Sequence, residues 1–188
     1  ADETGRTANL ELACKAIDGL VLQPGDVFSY NDALGERTEE KGYQLGPSYV
    51  NGEVVQEIGG GICQVSSTLY NCVLTADLEV LERENHMFYP GYVDPGLDCA
   101  VNWGTLDFRF RNSSGHAIRI EASLDGYNVT VKLLGTDDKD YYVKMEYDIL
   151  RTYDFSTYYR DLDEDNAEDY RNGDTIVEGV EGYYVETY

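Results

Sequence analysis

The tightest constraint in this chain is a run of three glycines, Gly59, Gly60 and Gly61, set between two patterns that cannot belong to one element. Before it, "PSYVNGEVVQEI" reads as a hairpin, with β-branched and aromatic residues on either side of Asn51-Gly52, a pair that favours a two-residue type I′ turn. After it, Ile62, Val65, Leu69, Cys72, Val73 and Ala76 recur at helical intervals on one face, with Ser66, Ser67, Tyr70 and Asn71 beside or behind it. The chain must pass from strand to helix within three residues, and a backbone without side chains permits both positive φ and close approach there. Cys63 stands at the mouth of the helix, which is expected to run to Leu78.

The remaining patterns surround this junction. "NLELACKAIDGLVLQPGD" predicts a short amphipathic helix that stops at Gly19 and the Pro24-Gly25 turn. "VFSYNDALG" reads as a strand leading into a loop. "LEVLERENHMFYPGYVDPG" alternates like a strand as far as Pro90-Gly91. "TLDFRFRNSSGHAIRIEASLDGYNVTVKLLG" predicts a three-stranded meander with Ser-Gly and Asp-Gly turns. The expected fold is α+β, a mixed or antiparallel β-sheet packed on two helices with the cysteine at a helix N-terminus. Beyond Gly135 the chain becomes acidic, rich in tyrosine and poor in aliphatic residues, so a boundary is expected near Thr136. Residues 1–136 form the main domain, and residues 137–188 a small β extension of two or three strands.

Thirty-six acidic residues against 14 basic ones give a formal charge of −22, which repels a phosphate backbone and disfavours nucleic acid as a partner. No apolar run is long enough to span a bilayer. "ADETGRTANLEL" lacks a basic start followed by an apolar stretch, so any signal or anchor is expected outside these residues. Seventeen tyrosines, 19 glycines and few lysines suit a secreted or surface protein. The cysteines, Cys14, Cys63, Cys72 and Cys99, form no CxxC pair and have no histidine at ligand spacing, so neither a metal nor another cofactor is expected. Cys14 and Cys72 lie on apolar helical faces and read as core residues; with Cys63 as a working thiol, at most one bridge can form among the other three. Asp161, Asp163 and Asp165 imitate the start of a calcium loop, but Asn166 replaces its glycine and Asn172 its bidentate glutamate, which leaves a solvated acidic loop.

The first turn of a helix carries unpaired amides and the positive end of the helix dipole, both favourable to an anionic sulfur. Glycine amides turned inward can also stabilise an oxyanion, so one segment would supply nucleophile and oxyanion hole. Gly59, Gly60, Gly61, Gln64 and Ser66 are the oxyanion or substrate-binding candidates. The competing reading is a tight turn followed by a small packing residue, but Cys63 falls off the stripe defined by Ile62 and Val65 and should face a cleft. The base is His86, 23 residues on, in preference to His116 at a turn. Asp98, Asp107 or Asn102 would orient it. Alternation places Glu82, Glu84 and His86 on one face and Arg83 on the other, where Arg83 would pair a substrate carboxylate or form a surface salt bridge.

Several long motifs, in order, resemble the VanW domain family, first noticed beside vancomycin-resistance genes. They are "GLVLQPGDVFSYNDALGERTEEKGY", "IGGGICQVSSTLYN", "LEVLERENHMFYPGYVDPGLDCAVNWGTLDFRFRN" and "VTVKLLG", covering roughly residues 6–135. The resemblance implies a cell-envelope protein of mostly Gram-positive bacteria, working on the extracellular face and commonly tethered by an N-terminal membrane segment. It implies L,D-transpeptidation: a stem tetrapeptide of peptidoglycan forms a thioester, which passes to the side-chain amine of a diaminopimelate and leaves a 3-3 cross-link. The family cysteine falls on Cys63 and the family histidine on His86, and Asp98 and Asp107 match acidic positions. Cys99 stands where the family usually has alanine. Two rivals remain: a papain-like peptidase or L,D-carboxypeptidase with water as acceptor, and a peptidoglycan-binding module without catalysis.

Overall fold

A computed structural model describes residues 4–50, 53–157 and 181–188. Helix α1 (Thr4–Ile17) leads through β1 (Val21–Leu22) and β2 (Val27–Ser29) into a short α2 (Tyr30–Leu34) and a 3-10 turn (Glu39–Lys41). The hairpin β3 (Leu45–Val50) and β4 (Glu53–Ile58) precedes α3 (Cys63–Thr75), followed by β5 (Glu79–Glu82), β6 (Arg109–Arg111), β7 (Ile118–Asp125) and β8 (Asn128–Leu134). Strands β9 (Tyr147–Tyr153) and β10 (Gly182–Thr187) close the described chain. The Asn51-Gly52 turn and the acidic run with Asp161, Asp163 and Asp165 lie outside the described residues.

The architecture is α+β, but the β structure is divided. Four small antiparallel sheets replace the single expected one: β1-β7-β8, β2-β6-β5, β3-β4 and β9-β10. The expected meander breaks after its first strand, because β6 pairs with β2 and β5 while β7 pairs with β8 on one side and β1 on the other. The expected loop after β2 is the helix α2, capped by Ser29, whose hydroxyl accepts from the Asp32 amide. Leu10, Ala13 and Ile17 of α1, Val65, Leu69 and Val73 of α3, and Phe28, Phe108 and Phe110 of the second sheet share one buried core. Tyr30, wholly buried, donates from its hydroxyl to Ile62 O at 3.1 Å and so ties α2 to the start of α3.

The glycine junction is shaped by backbone contact. Gly59 and Gly61 have φ of 84° and 99°. A Cβ at Gly60 would run into the carbonyl of Gly46 in β3. Asn9, fully buried in α1, donates to Gln44 O at 2.8 Å and Gly60 O at 2.9 Å and accepts from the Gln44 amide at 2.8 Å. A single side chain thus satisfies backbone groups of both the hairpin and the turn, which would otherwise be buried unpaired.

Candidate active site

Cys63 is the first residue of α3, partly buried, with Sγ 3.5 Å from Val101 O. Among the described residues, the Gly59 and Gly60 amides are engaged by Gln44 O and Glu57 O, whereas neither the Gly61 nor the Cys63 amide has a backbone acceptor. The oxyanion candidates narrow to these two. Gln64 is turned to Arg6, whose Nη2 donates to Oε1 at 2.5 Å, and to Tyr127 O at 3.3 Å. Ser66 is fully buried and donates to Cys99 O at 2.7 Å, so it acts on protein backbone and does not face a substrate.

The predicted long strand carrying His86 ends at Glu82. Glu84 and Ala100 then form an isolated antiparallel bridge, with the Ala100 amide donating to Glu84 O at 2.8 Å. This bridge is the neck of an excursion that includes the Pro90-Gly91 and Pro95-Gly96 turns. Two residues further along each arm, in the same register, stand His86 and Asp98. Asp98 Oδ2 accepts from the His86 amide at 2.6 Å and lies 2.6 Å from Nδ1 of its ring. Asp98 Oδ1 pairs with Arg83 Nη2 at 3.1 Å.

Arg83 also donates to Asp98 O and Gly96 O, and its guanidinium lies 5.1 Å from the Tyr70 ring centroid. It therefore belongs to the same cluster as His86, and its expected roles as a substrate clamp or surface ion pair give way to that of a positioning residue for Asp98. Asp107 is occupied elsewhere: it accepts from Ser29 Oγ at 2.6 Å, the Asn31 amide at 2.8 Å and the Phe108 amide at 2.8 Å. Asn102 donates to Thr105 Oγ1 at 3.0 Å, and His116 meets Asp138 at an exposed turn. Of the acids considered, Asp98 is the one brought to the imidazole.

The polar flank of α3, unremarkable in the sequence, makes this possible. Ser67 Oγ accepts from the Cys99 amide at 2.9 Å, and Asn71 Nδ2 donates to Leu97 O at 2.7 Å. With Ser66 they lay residues 97–99 along the helix that begins with the thiol, so the carboxylate and the sulfur share one frame. Tyr92 was also missed; its hydroxyl lies 3.4 Å from His86 Nε2. A tyrosine in a proline-rich loop carries no local signal of this kind.

Burial pulls the His86 pKa down, but hydrogen bonds to Asp98 and Cys63 and the negative charges of both raise it from 6.5 to about 9. Burial opposes ionisation of Asp98 too, yet the bonds from His86 and the charges of His86 and Arg83 hold its carboxyl below the ordinary value. Burial, reinforced by the Cys63 charge, pushes the Tyr92 hydroxyl far up, so it remains a donor. Burial raises the Cys14 thiol to about 11 and raises Cys72 and Cys99 as well. All four cysteines are free. Among the described residues, no group of three or more histidines, cysteines or acids is placed to hold a metal ion.

A thiol at a helix start and an imidazole held at Nδ1 by a carboxylate define an α+β domain with a candidate nucleophile, base and orienting acid. The chain belongs to the VanW like protein family, whose match spans residues 5–134. It is 44% identical over 132 residues to the uncharacterized protein YoaR of Bacillus subtilis (strain 168), covering 70% of this chain and 44% of that protein. It is 28% identical over 129 residues to the vancomycin B-type resistance protein VanW of Enterococcus faecalis (strain ATCC 700802 / V583), covering 65% of this chain and 46% of that one. The chain thus spans less than half the length of these curated relatives. No solved structure matches it.

Proposed function

We propose that this chain is a cysteine acyltransferase of the bacterial cell envelope that cross-links peptidoglycan stems by L,D-transpeptidation. The observation that carries the reading is the His86 ring, held by Asp98 at Nδ1 and near enough to Cys63 for that residue to help raise its pKa. Cys63 attacks the carbonyl of the stem's L,D-peptide bond as a sulfur anion whose proton His86 already holds. The C–N bond breaks as the imidazolium returns that proton to the departing amine, leaving a thioester. A diaminopimelate amine then attacks the thioester carbon, gives its proton to His86 and expels the sulfur as the anion. The Gly61 and Cys63 amides are the donors proposed for both oxyanions.

The name of the Enterococcus relative and the family membership support a cell-wall setting. We place the protein on the outer face of the envelope, tethered in its full-length form. Hydrolysis by the same thioester is the second reading, favoured by the partial exposure of the site.

With purified protein and stem tetrapeptides, cross-linked dimers are expected by mass spectrometry, and Cys63→Ala should abolish them while leaving the fold intact. Tripeptides alone would move the assignment to a hydrolase. Iodoacetamide should modify Cys63 before Cys14, Cys72 or Cys99, whose thiols burial keeps protonated. Equal labelling rates would leave a binding module with no nucleophile.

A further inference from the structure

Packed on the glycine turn that leads to the thiol lies a cation that this chemistry does not use. Arg37, just past α2, donates from Nη1 to Gly35 O at 3.0 Å and from Nη2 to Asn31 Oδ1 at 2.7 Å, while its buried Nε has no acceptor among the described residues. The arginine ion pairs of the described residues belong to Arg83, Arg109, Arg111 and Arg119. The acid nearest in effect, Asp107, has its oxygens engaged by Ser29, Asn31 and Phe108. A half-buried guanidinium without a carboxylate is unfavourable, and in a chain with 36 acidic residues it is conspicuous.

Its position relates it to the thiol through both segments that Cys63 touches. The Arg37 stem packs on Gly59, where a Cβ would lie 2.9 Å from the Arg37 Cβ, and Gly59 opens the turn that delivers Cys63. The Trp103 ring centroid lies 5.9 Å from the guanidinium carbon, and Trp103 is two residues past Val101, whose carbonyl contacts the sulfur. Trp103 is 44% exposed on a tight turn closed by the Asn102–Leu106 bridge. Nη1 and Nη2 each keep one N–H beyond the bonds to Gly35 and Asn31, and this pair beneath an indole is suited to a planar anion.

We propose that Arg37, roofed by Trp103, recognises the free carboxylate of the residue that leaves when Cys63 is acylated. This rests on the acyl-transfer reading above and assigns the substrate class of the same site: peptides ending one residue beyond the attacked bond. Binding brings the carboxylate to the guanidinium and moves the indole, which sits on an exposed turn.

Trp103 is the chain's single tryptophan, so its fluorescence reports the event directly. In the Cys63→Ala protein, a stem tetrapeptide with a free D-alanine carboxylate should change that fluorescence saturably. Its C-terminal amide should bind about ten- to a hundredfold more weakly, the range of a lost charge-assisted pair. Arg37→Gln should erase the difference between acid and amide, and Arg37→Lys should restore part of it. Equal responses to acid and amide, including none, overturn the proposal, and this comparison needs no Arg37 variant to fold. Acyl-enzyme mass on the unmodified protein separates the two ideas. A thioester formed without acid preference removes the Arg37 role and keeps the acyl transfer; an acid preference with no thioester overturns the acyl transfer and the leaving-residue assignment together.

Discussion

At the residue scale, the decisive pair is His86 and Asp98. In the proposed acyl transfer, the raised His86 pKa, about 9, means that the proton for the leaving amine is present at neutral pH and is lost above that value. Activity should therefore fall on an alkaline limb near pH 9. Asp98→Asn removes the charge and the acceptor at Nδ1, so the limb should move to lower pH and turnover should drop by at least about a hundredfold; a pH–rate profile of both proteins checks this. Stability follows the same sign. A group whose pKa is raised on folding stabilises fully below its unfolded value, 6.5, and that contribution disappears as pH rises through about 9. Denaturant midpoints between pH 6 and 10 should decline in the parent protein more than in Asp98→Asn.

At the element scale, α3 serves two surfaces. Its apolar face meets α1 and β8, while Ser66, Ser67 and Asn71 hold residues 97–99. Ser67→Ala leaves the buried Cys99 amide without its acceptor and should cost about 1–3 kcal/mol, read from urea unfolding. It should also slow alkylation of Cys63 relative to the parent, because the Asp98 segment loses its seat. The glycine turn gives a sharper contrast. Gly60→Ala forces a methyl group against the Gly46 carbonyl and should lose about 1–3 kcal/mol or more. Gly115→Ala, where a Cβ meets nothing within 4 Å, should change stability by less than about 0.5 kcal/mol. The triplet is thus shaped by close packing as well as by the Gly61 amide, which has no backbone acceptor among the described residues, and the two readings of "GGGIC" are compatible.

At the scale of the molecule, the tyrosine-rich β9-β10 hairpin is exposed along most of its length, yet it touches the excursion that carries the site. Tyr183 meets Tyr89 edge-on at 6.0 Å, and Val185 and Thr187 crowd Gly96. With few buried contacts it should open independently, so hydrogen exchange should be faster in β9 and β10 than in α3 or β7. Exchange as slow as in the core would mean that the hairpin is an integral part of the fold. Helical and strand periodicity depend on residues a few positions apart, which is why the junction at Gly59–Gly61 and the helix starting at Cys63 were legible along the chain. The separation into four sheets, the selection of Asp98 over Asp107, the placement of Arg83 behind Asp98 and of Arg37 under Trp103 all depend on partners distant in the chain, up to 98 residues apart for Val21 and Arg119. Such pairings follow from how elements pack and which buried groups find acceptors, and no local spacing encodes them; only the folded chain makes the choice.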